Sequence, residues 1–331
     1  MKVAIIFWGL TRSLKYTHKS IKNNILKILD LYNIDYDIYM HTYKVENPYS
    51  NRRSREFGIK LDYDEHKLIK PKIFISDTLS DITSKIDFNE YKKHPDPWND
   101  GYKSQKNFIL AMYSKKKITS LMEEKVNNGE VKCKINKNDN FDAFEKYDKD
   151  INYFNTVIKH LENKKIQFKK KDKIKQADEK INELLSKIAF IKKKIKMEKS
   201  KNICEEKESS YDYCLFIRPD CNYLSKFKIE YFSRVNDKSI CIPNFCIYGN
   251  FNDRMCLTTY KNGLIYGKLF DEMLEYSIKR KLHSEEFHYH LIKKEYNLTI
   301  KLINFYFNRV RANGNEMKSD SRVNRVDKDE L

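Results

Sequence analysis

The apolar run Val3–Trp8 constrains the fold of this chain more than any other feature. Its residues are mostly β-branched or aromatic and no polar side chain alternates with them, which is typical of a strand covered on both faces, as in a parallel sheet. A turn at Gly9–Ser13, a helical pattern up to Asn33 and a second apolar strand at Asp35–Met40 follow. This order predicts a βαβ unit, in which ligands collect at the carboxyl ends of the strands.

Glycine and proline are scarce, with 8 Gly and 6 Pro in 331 residues. Architectures that need many turns, such as all-β folds, are therefore disfavoured. Further short apolar runs predict strands at Ile73–Ile75, Asp212–Ile217 and Ser239–Ile242, and helical spacing predicts helices at 105–122, 264–280 and 284–294. We expect an α/β protein with a mixed, Rossmann-like sheet flanked by helices.

The amino-acid composition changes in the middle of the chain. Residues 126–208 are almost free of Gly and Pro, and from 174 onward apolar residues recur at alternating intervals of three and four, at 174, 177, 181, 184, 188, 191 and 195. This spacing is a heptad pattern, and an earlier helical set at 154–161 can pack against it. The pattern predicts an inserted Lys-rich helical hairpin or coiled coil, which either folds back on itself or forms a homodimer or another partner contact.

The chain is basic, with 65 Lys+Arg against 47 Asp+Glu and a net charge of +18. Residues 164–201 alone hold 15 Lys and 5 acidic residues, so most of the excess lies in the predicted hairpin. Two interpretations account for this positive charge. We favour a charge that follows from composition and no specific nucleic-acid partner, while the alternative is a nucleic-acid-binding or scaffolding protein that uses the hairpin.

The seven cysteines form no paired framework, which indicates a reducing compartment and predicts a cytoplasmic protein. The chain ends in Lys328-Asp329-Glu330-Leu331, which matches a retrieval signal of the endoplasmic reticulum. We interpret this match as fortuitous. No apolar stretch approaches the length of a transmembrane segment.

Asp220 provides the strongest local signal for chemistry. It follows the apolar strand that ends near Arg218, and Asn222 comes two residues later. Oxygen ligands of this kind at a strand end suit Mn²⁺ or Mg²⁺ bound to phosphates. The alternative is a turn that Pro219 and Asp220 form for structural reasons.

Other residues suit phosphate binding or proton transfer. Gly9 permits close approach of a ligand to the backbone and Arg12 offers a bidentate guanidinium. Arg309 and Arg311, two residues apart, are expected to project to one face of an extended segment. Carboxylates such as those of Asp253 and Glu285 can transfer protons, but a turn and a helix start respectively account for both residues from the local sequence.

These segments together resemble a family of nucleotide-sugar glycosyltransferases of the GT-A fold found in large DNA viruses and microbes. The resemblance covers about 1–125 and 209–314, and it depends on the order of the motifs along the chain. They are Gly9-Leu10-Thr11-Arg12, Asp37–Tyr43, Arg218-Pro219-Asp220, Asn252-Asp253-Arg254, Ser284-Glu285 and Arg309–Gly314.

The resemblance implies an enzyme that moves a sugar from a UDP- or GDP-sugar to a glycan or protein acceptor. It places Gly9, Thr11 and Arg12 near the nucleotide, His41, Thr42 and Tyr43 near its base or ribose, Asp220 and Asn222 at the metal, and Asp253 and Glu285 at the sugar or acceptor. Because Asn222 replaces the second acid of the metal motif, an inactive transferase fold is a further alternative.

The resemblance, the heptad pattern and the polar composition of the last residues together predict a division of the chain into four parts. Residues 1–125 would form the nucleotide-binding half of a GT-A-like domain and 209–314 its metal and acceptor half. Residues 126–208 would be the inserted hairpin, and 315–331 a disordered polar tail.

Overall fold

The chain folds into two units, one formed by Met1–Val131 together with Ser210–Leu331 and the other by Lys132–Ser209. The computed structural model describes residues 1–129, 140–167, 171–201, 211–326, 329 and 331.

Eleven strands belong to the described part of the first unit. They are β1 (Lys2–Phe7), β2 (Asp35–Lys44), β3 (Tyr49–Asn51), β4 (Glu56–Ile59), β5 (Ile73–Thr78), β6 (Tyr213–Ile217), β7 (Cys221–Tyr223), β8 (Ser239–Pro243), β9 (Met255–Thr259), β10 (Thr299–Ile303) and β11 (Phe307–Arg309). Seven of them form one sheet in the order β10-β8-β9-β6-β1-β2-β5. Strand β9 is antiparallel to both of its neighbours and all other pairs are parallel. The predicted mixed α/β sheet is therefore present.

Every residue of strand β1 is buried, because this strand lies in the interior of the sheet between β6 and β2. Ile5 lies between Ile38 of β2 and Leu215 of β6 in the parallel register. Strand β2 continues to Lys44, four residues beyond the predicted end at Met40. This extension places His41, Thr42 and Tyr43 inside a strand, because β5 pairs with β2 as far as Lys44.

Helices cover both faces of this sheet and connect its strands. In the first unit they are α1 (Leu14–Ile21), α2 (Lys27–Leu31), α3 (Leu79–Thr83), α4 (Lys103–Asn127), α7 (Tyr231–Arg234), α8 (Tyr260–Lys268), α9 (Met273–Lys279) and α10 (Ser284–Tyr289). Short π-helical turns at Lys22–Leu26 and His290–Glu295 continue α1 and α10. The long helix α4 packs on β1, β2 and α8 and contributes the buried side chains of Phe108, Met112 and Met122 to the main core.

The topology brings several chain segments to one edge of the sheet. The carboxyl ends of β1 and β6 meet there because these strands are parallel. The antiparallel strand β9 begins at the same edge, where Met255 pairs with Ile217 of β6. As a result, the turn after β1, residues 218–220 and residues 252–254 become neighbours although they are far apart in sequence.

Two helices, α5 (Asn140–Gln167) and α6 (Lys171–Lys201), make up the described part of the second unit. The predicted heptad residues Ile181, Leu184 and Ile188 are buried against Ile158 of α5. Lys165, near the end of α5, forms an ion pair with Asp178, near the start of α6. The two helices therefore form a hairpin. In neither unit is any described helix sufficiently long and apolar to cross a bilayer.

The segment 315–331 does not match the prediction of a disordered tail. Asp320 is buried and binds Arg309, and the Val326 amide donates to the Asn244 carbonyl over 2.8 Å. Beyond it, the Leu302 amide donates to the Asp329 carbonyl and the Leu331 amide to the Ile300 carbonyl. The polar composition was misleading because most of these contacts use backbone groups, which any side chain permits, and the Asp320–Arg309 pair uses the polar side chains themselves.

Candidate functional site

A cavity of about 690 Å³ opens at the edge of the sheet where β1 and β6 end. Its size is in the range of ligand pockets for small molecules. Most of the predicted site residues line it, namely Gly9, Arg12, Tyr43, Asp220, Asp253, Glu285, Arg309 and Arg311. Thr11, His41, Thr42 and Asn222 are not among the residues of its wall. The topology therefore brings residues from before and after the second unit to one cavity.

The turn after β1 is held by hydrogen bonds to its neighbours. Gly9 has φ of +90°, which favours glycine, and its amide donates to the Ser114 hydroxyl over 2.8 Å. The Thr11 amide donates to the Thr42 hydroxyl over 3.0 Å. Thr11 and Thr42 thus position the turn and do not face the cavity.

His41 belongs to the same supporting network and not to the cavity wall. The ring is fully buried, with Nδ1 2.7 Å from the Ser114 hydroxyl and Nε2 3.3 Å from the Asp77 carboxylate. Burial lowers the pKa of His41 to about 4, although Asp77 opposes this shift. The order Asp77-His41-Ser114 resembles a hydrolytic triad, but the Ser114 hydroxyl is buried and accepts the Gly9 amide. We therefore interpret the network as structural, and the predicted contact of His41 with a nucleotide is wrong.

Asp220 lies between two guanidinium groups at the base of the cavity. Arg12 Nη2 donates to Oδ2 over 2.9 Å, and Arg218 donates through Nε and Nη2 over 2.8 and 2.7 Å. Burial alone would raise the pKa of the Asp220 carboxyl, but Arg218 and Arg12 outweigh it and hold that pKa well below its usual range. Asp220 is thus an ionised, fully paired carboxylate.

These contacts do not fit the predicted divalent cation. A cation at Asp220 would have to displace the arginine hydrogen bonds. Asn222 lies on β7, outside the cavity, and its side-chain amide donates to Glu316 over 3.1 Å. Within the described ranges, moreover, no group of three or more His, Cys, Asp or Glu side chains is arranged to hold a metal ion. Asp220 and Asn222 therefore do not form the predicted metal site.

Asp253 and Glu285 enter the cavity from two different elements. The Asn252 side chain, which accepts the Arg254 amide over 3.0 Å, fixes the turn that presents Asp253. Glu285 lies in the first turn of α10. The Ser284 hydroxyl donates a hydrogen bond to its carboxylate, and His283 Nδ1 lies 3.4 Å from that carboxylate.

The two carboxyl groups have pKa values shifted in opposite directions. Burial, followed by the charge of Asp253, raises the pKa of Glu285. Burial would also raise the pKa of Asp253, but Arg254 and other nearby cations lower it. Pairs of acids with separated pKa values are typical of acid–base chemistry, because one is ionised while the other holds its proton.

Arg309 and Arg311 both line the cavity but differ in their partners. Asp320 accepts from Arg309 Nε over 2.7 Å and from Nη2 over 2.9 Å. Arg311 Nε is buried and meets no acceptor among the described residues. Burial and the neighbouring charges of Arg309 and Arg12 lower the pKa of Arg311, although Glu56 and Asp220 oppose this shift.

Lys115 is a cavity residue that the sequence prediction missed. It is completely buried in α4, with Nζ 3.7 Å from the ring centre of Tyr266. Nζ also donates to Nε2 of His288 over 3.0 Å, since His288 Nδ1 donates to the Ser284 carbonyl. Burial lowers the pKa of Lys115 to about 7.

A signal for Lys115 exists in the sequence. It falls on the helical spacing of the buried residues Phe108, Met112, Thr119 and Met122. A lysine at such a position must lie on the buried face of the helix, where it is rare unless it is paired or functional.

Comparison with known protein families yields no family model that matches this chain, and no curated protein matches its sequence. The function of the chain is therefore inferred from the geometry of the cavity.

Proposed function

We propose that this chain is a glycosyltransferase with a GT-A-like fold, which moves a sugar from a nucleotide-diphosphate donor to a hydroxyl of a glycan or protein acceptor. One observation carries the proposal: Asp253 and Glu285, with pKa values shifted apart, share a cavity with five arginines at the ends of β1 and β6. The arginines suit an anionic leaving group and the acids suit proton transfer.

The donor would lie across the turn after β1. Gly9 leaves space beside the backbone, with no heavy atom within 4 Å of where a Cβ would stand. Arg12 is oriented by Asp220 and also donates to the Tyr49 hydroxyl. Negative charge builds up on the diphosphate as its bond to the sugar breaks, so cations fixed in advance stabilise the transition state more than the bound donor.

Proton transfer would fall to the acidic pair. The acceptor oxygen forms a bond to the anomeric carbon while the bond from that carbon to the phosphate oxygen breaks and the diphosphate leaves with its electrons. Asp253, which is the more readily ionised acid, accepts the proton of the acceptor hydroxyl. Glu285, whose raised pKa favours the protonated form, donates a hydrogen bond to a sugar oxygen.

The second unit would be a coiled-coil arm with no part in this chemistry. Ile181, Leu184 and Ile188 of α6 pack on α5, so their burial needs no second copy of the chain. Many exposed lysines on both helices suit a spacer or a contact with a partner protein.

Thermal unfolding with UDP-, GDP- and TDP-sugars, in EDTA and in Mn²⁺, tests donor binding. A ligand at 100 times its Kd stabilises a protein by about 2.7 kcal/mol. Release of the nucleoside diphosphate, measured by chromatography, tests transfer or hydrolysis. We expect one nucleotide class to stabilise the protein and to be turned over. Binding without turnover for any acceptor would favour an inactive transferase fold, and no binding at all would overturn the proposal.

A further inference from the structure

Two arginine nitrogens in the cavity wall have no hydrogen-bond acceptor in the described part of the chain. They are Nη1 of Arg254 and Nε of Arg311. Arg254 is only 6% exposed, and both residues line the cavity. A buried donor without a partner costs about 1–3 kcal/mol, and more when it carries charge. The two guanidinium groups are therefore not fully hydrogen-bonded within the described part of the chain, which favours an anionic ligand beside them.

The other arginines of the site already have carboxylate partners. Asp220 binds Arg12 and Arg218, and Asp320 binds Arg309. The cavity is lined by five arginines but only by two aspartates and one glutamate, and the pKa of that glutamate is raised by burial. The site therefore has an excess of positive charge, which a polyanion would neutralise.

A divalent cation would add to this excess. It would also have to compete with Arg12 and Arg218 for the Asp220 oxygens, which they occupy at 2.7–2.9 Å. A guanidinium group binds phosphate oxygens through parallel hydrogen bonds and needs no dehydration of a metal ion. The arginines can therefore supply the positive charge that a diphosphate requires.

We propose that Arg254 and Arg311 form, with Arg12, a metal-independent site for the phosphate oxygens of a diphosphate ligand. The inference that this site holds the diphosphate of a sugar nucleotide rests on the proposed function, and it assigns to guanidinium groups the charge that a divalent cation would supply. The inference that the site binds inorganic diphosphate depends only on the unpartnered arginine nitrogens.

Calorimetric titration of the full chain with inorganic pyrophosphate and with UDP, first in EDTA and then in Mn²⁺, tests the site. We expect binding in EDTA that Mn²⁺ does not strengthen. Arg254→Gln and Arg311→Gln should each weaken pyrophosphate binding by about 10- to 100-fold. Arg280→Gln, which alters an exposed arginine, should leave it unchanged.

Arg254 is buried, so its substitution also needs a control for folding. Arg254→Lys retains the charge, and thermal unfolding of each variant shows whether it is folded. If Arg254→Gln does not fold, the half-buried Arg311 decides the question. Pyrophosphate binding that requires Mn²⁺, or that survives Arg311→Gln at full strength, overturns the inference.

The outcomes separate this inference from the proposed function. Pyrophosphate binding in EDTA without any turnover of sugar nucleotides would retain the anion site and contradict the transferase. Turnover that depends on Mn²⁺ would retain the transferase and contradict the metal-independent site.

Discussion

Nζ of Lys115 lies 3.0 Å from Nε2 of His288, and neither side chain is exposed. The lysine comes from the middle of α4 and the histidine from α10. Burial lowers the pKa of both groups, that of Lys115 to about 7 and that of His288 to about 3, and the lysine charge contributes to the second shift. The charged form of Lys115 is therefore held in the folded protein only at a cost in stability, and such a cost is common at functional sites.

We predict that Lys115→Met stabilises the protein by about 2–4 kcal/mol at pH 7. The unfolded chain retains the Lys115 proton up to about pH 10.5, whereas the folded chain loses it near pH 7. Between these values the unfolded state binds more protons, so wild-type stability rises with pH, and below pH 7 the cost is constant.

The measurement is urea unfolding at several pH values from 6 to 10. The variant should lose the part of the pH slope that Lys115 causes. Lys117→Met, which alters a partly exposed lysine on the same helix, is the matched control. Identical slopes for Lys115→Met and the wild type would show that Lys115 titrates normally.

Asp253→Asn should lower kcat/KM of the proposed transfer by about 100- to 10,000-fold, because general base catalysis contributes that much. It should also lower the pKa of Glu285, since Asp253 contributes to its raised value. Any loss of activity at high pH that reports Glu285 should therefore begin at lower pH in the variant.

Steady-state rates from pH 5 to 9 test this prediction, with Asp237→Asn, an exposed aspartate, as the control. Full activity in Asp253→Asn would show that another group accepts the proton.

Asp220→Ala should destabilise the fold by about 3–5 kcal/mol, because it leaves Arg12 and Arg218 side by side without their buried carboxylate. The pKa of Asp220 is held below its unfolded value of about 4. Its contribution is therefore complete above that pH and is lost as the pH falls through the lower, folded value.

Chemical unfolding at pH 7 and at lower pH, with and without phosphate, measures this effect. The difference from wild type should shrink at low pH, and phosphate should restore part of the stability. A variant as stable as the wild type at pH 7 would rule out a stabilising role of this cluster.

Replacement of residues 132–209 by a Gly-Ser linker should leave the first unit folded and its diphosphate binding unchanged. None of the described residues of this segment belongs to the main core. Circular dichroism and pyrophosphate titration provide the test, and a DNA or RNA binding assay compares the two forms. Loss of diphosphate binding in a folded variant would assign the second unit a role in the site. Salt-dependent nucleic-acid binding that the deletion abolishes would favour the alternative function.

Local patterns in the sequence predicted five of the seven strands of the main sheet, but not the antiparallel strand β9. Val3–Trp8 predicts a buried central strand because a strand covered on both faces has a continuous apolar run. The seven heptad positions predict α6 because a helix buried along one stripe has apolar residues at intervals of three and four. That Gly9, Asp253 and Glu285 lie near one another was implied only by the family resemblance, and the structure places all three in the wall of one cavity.

Only the tertiary structure decided what the charged groups do. The sequence around Asp220 is equally compatible with a metal ligand and with a turn residue. The structure decides between them because it pairs Asp220 with Arg12, which is 208 residues away in the chain. Helical spacing places Lys115 on the buried face of α4, but only the tertiary structure brings His288 of α10 to its Nζ. Likewise, only the tertiary structure pairs Asp320 with Arg309. Their ionisation depends on the desolvation and counterions that packing brings together, and no local pattern contains these contacts.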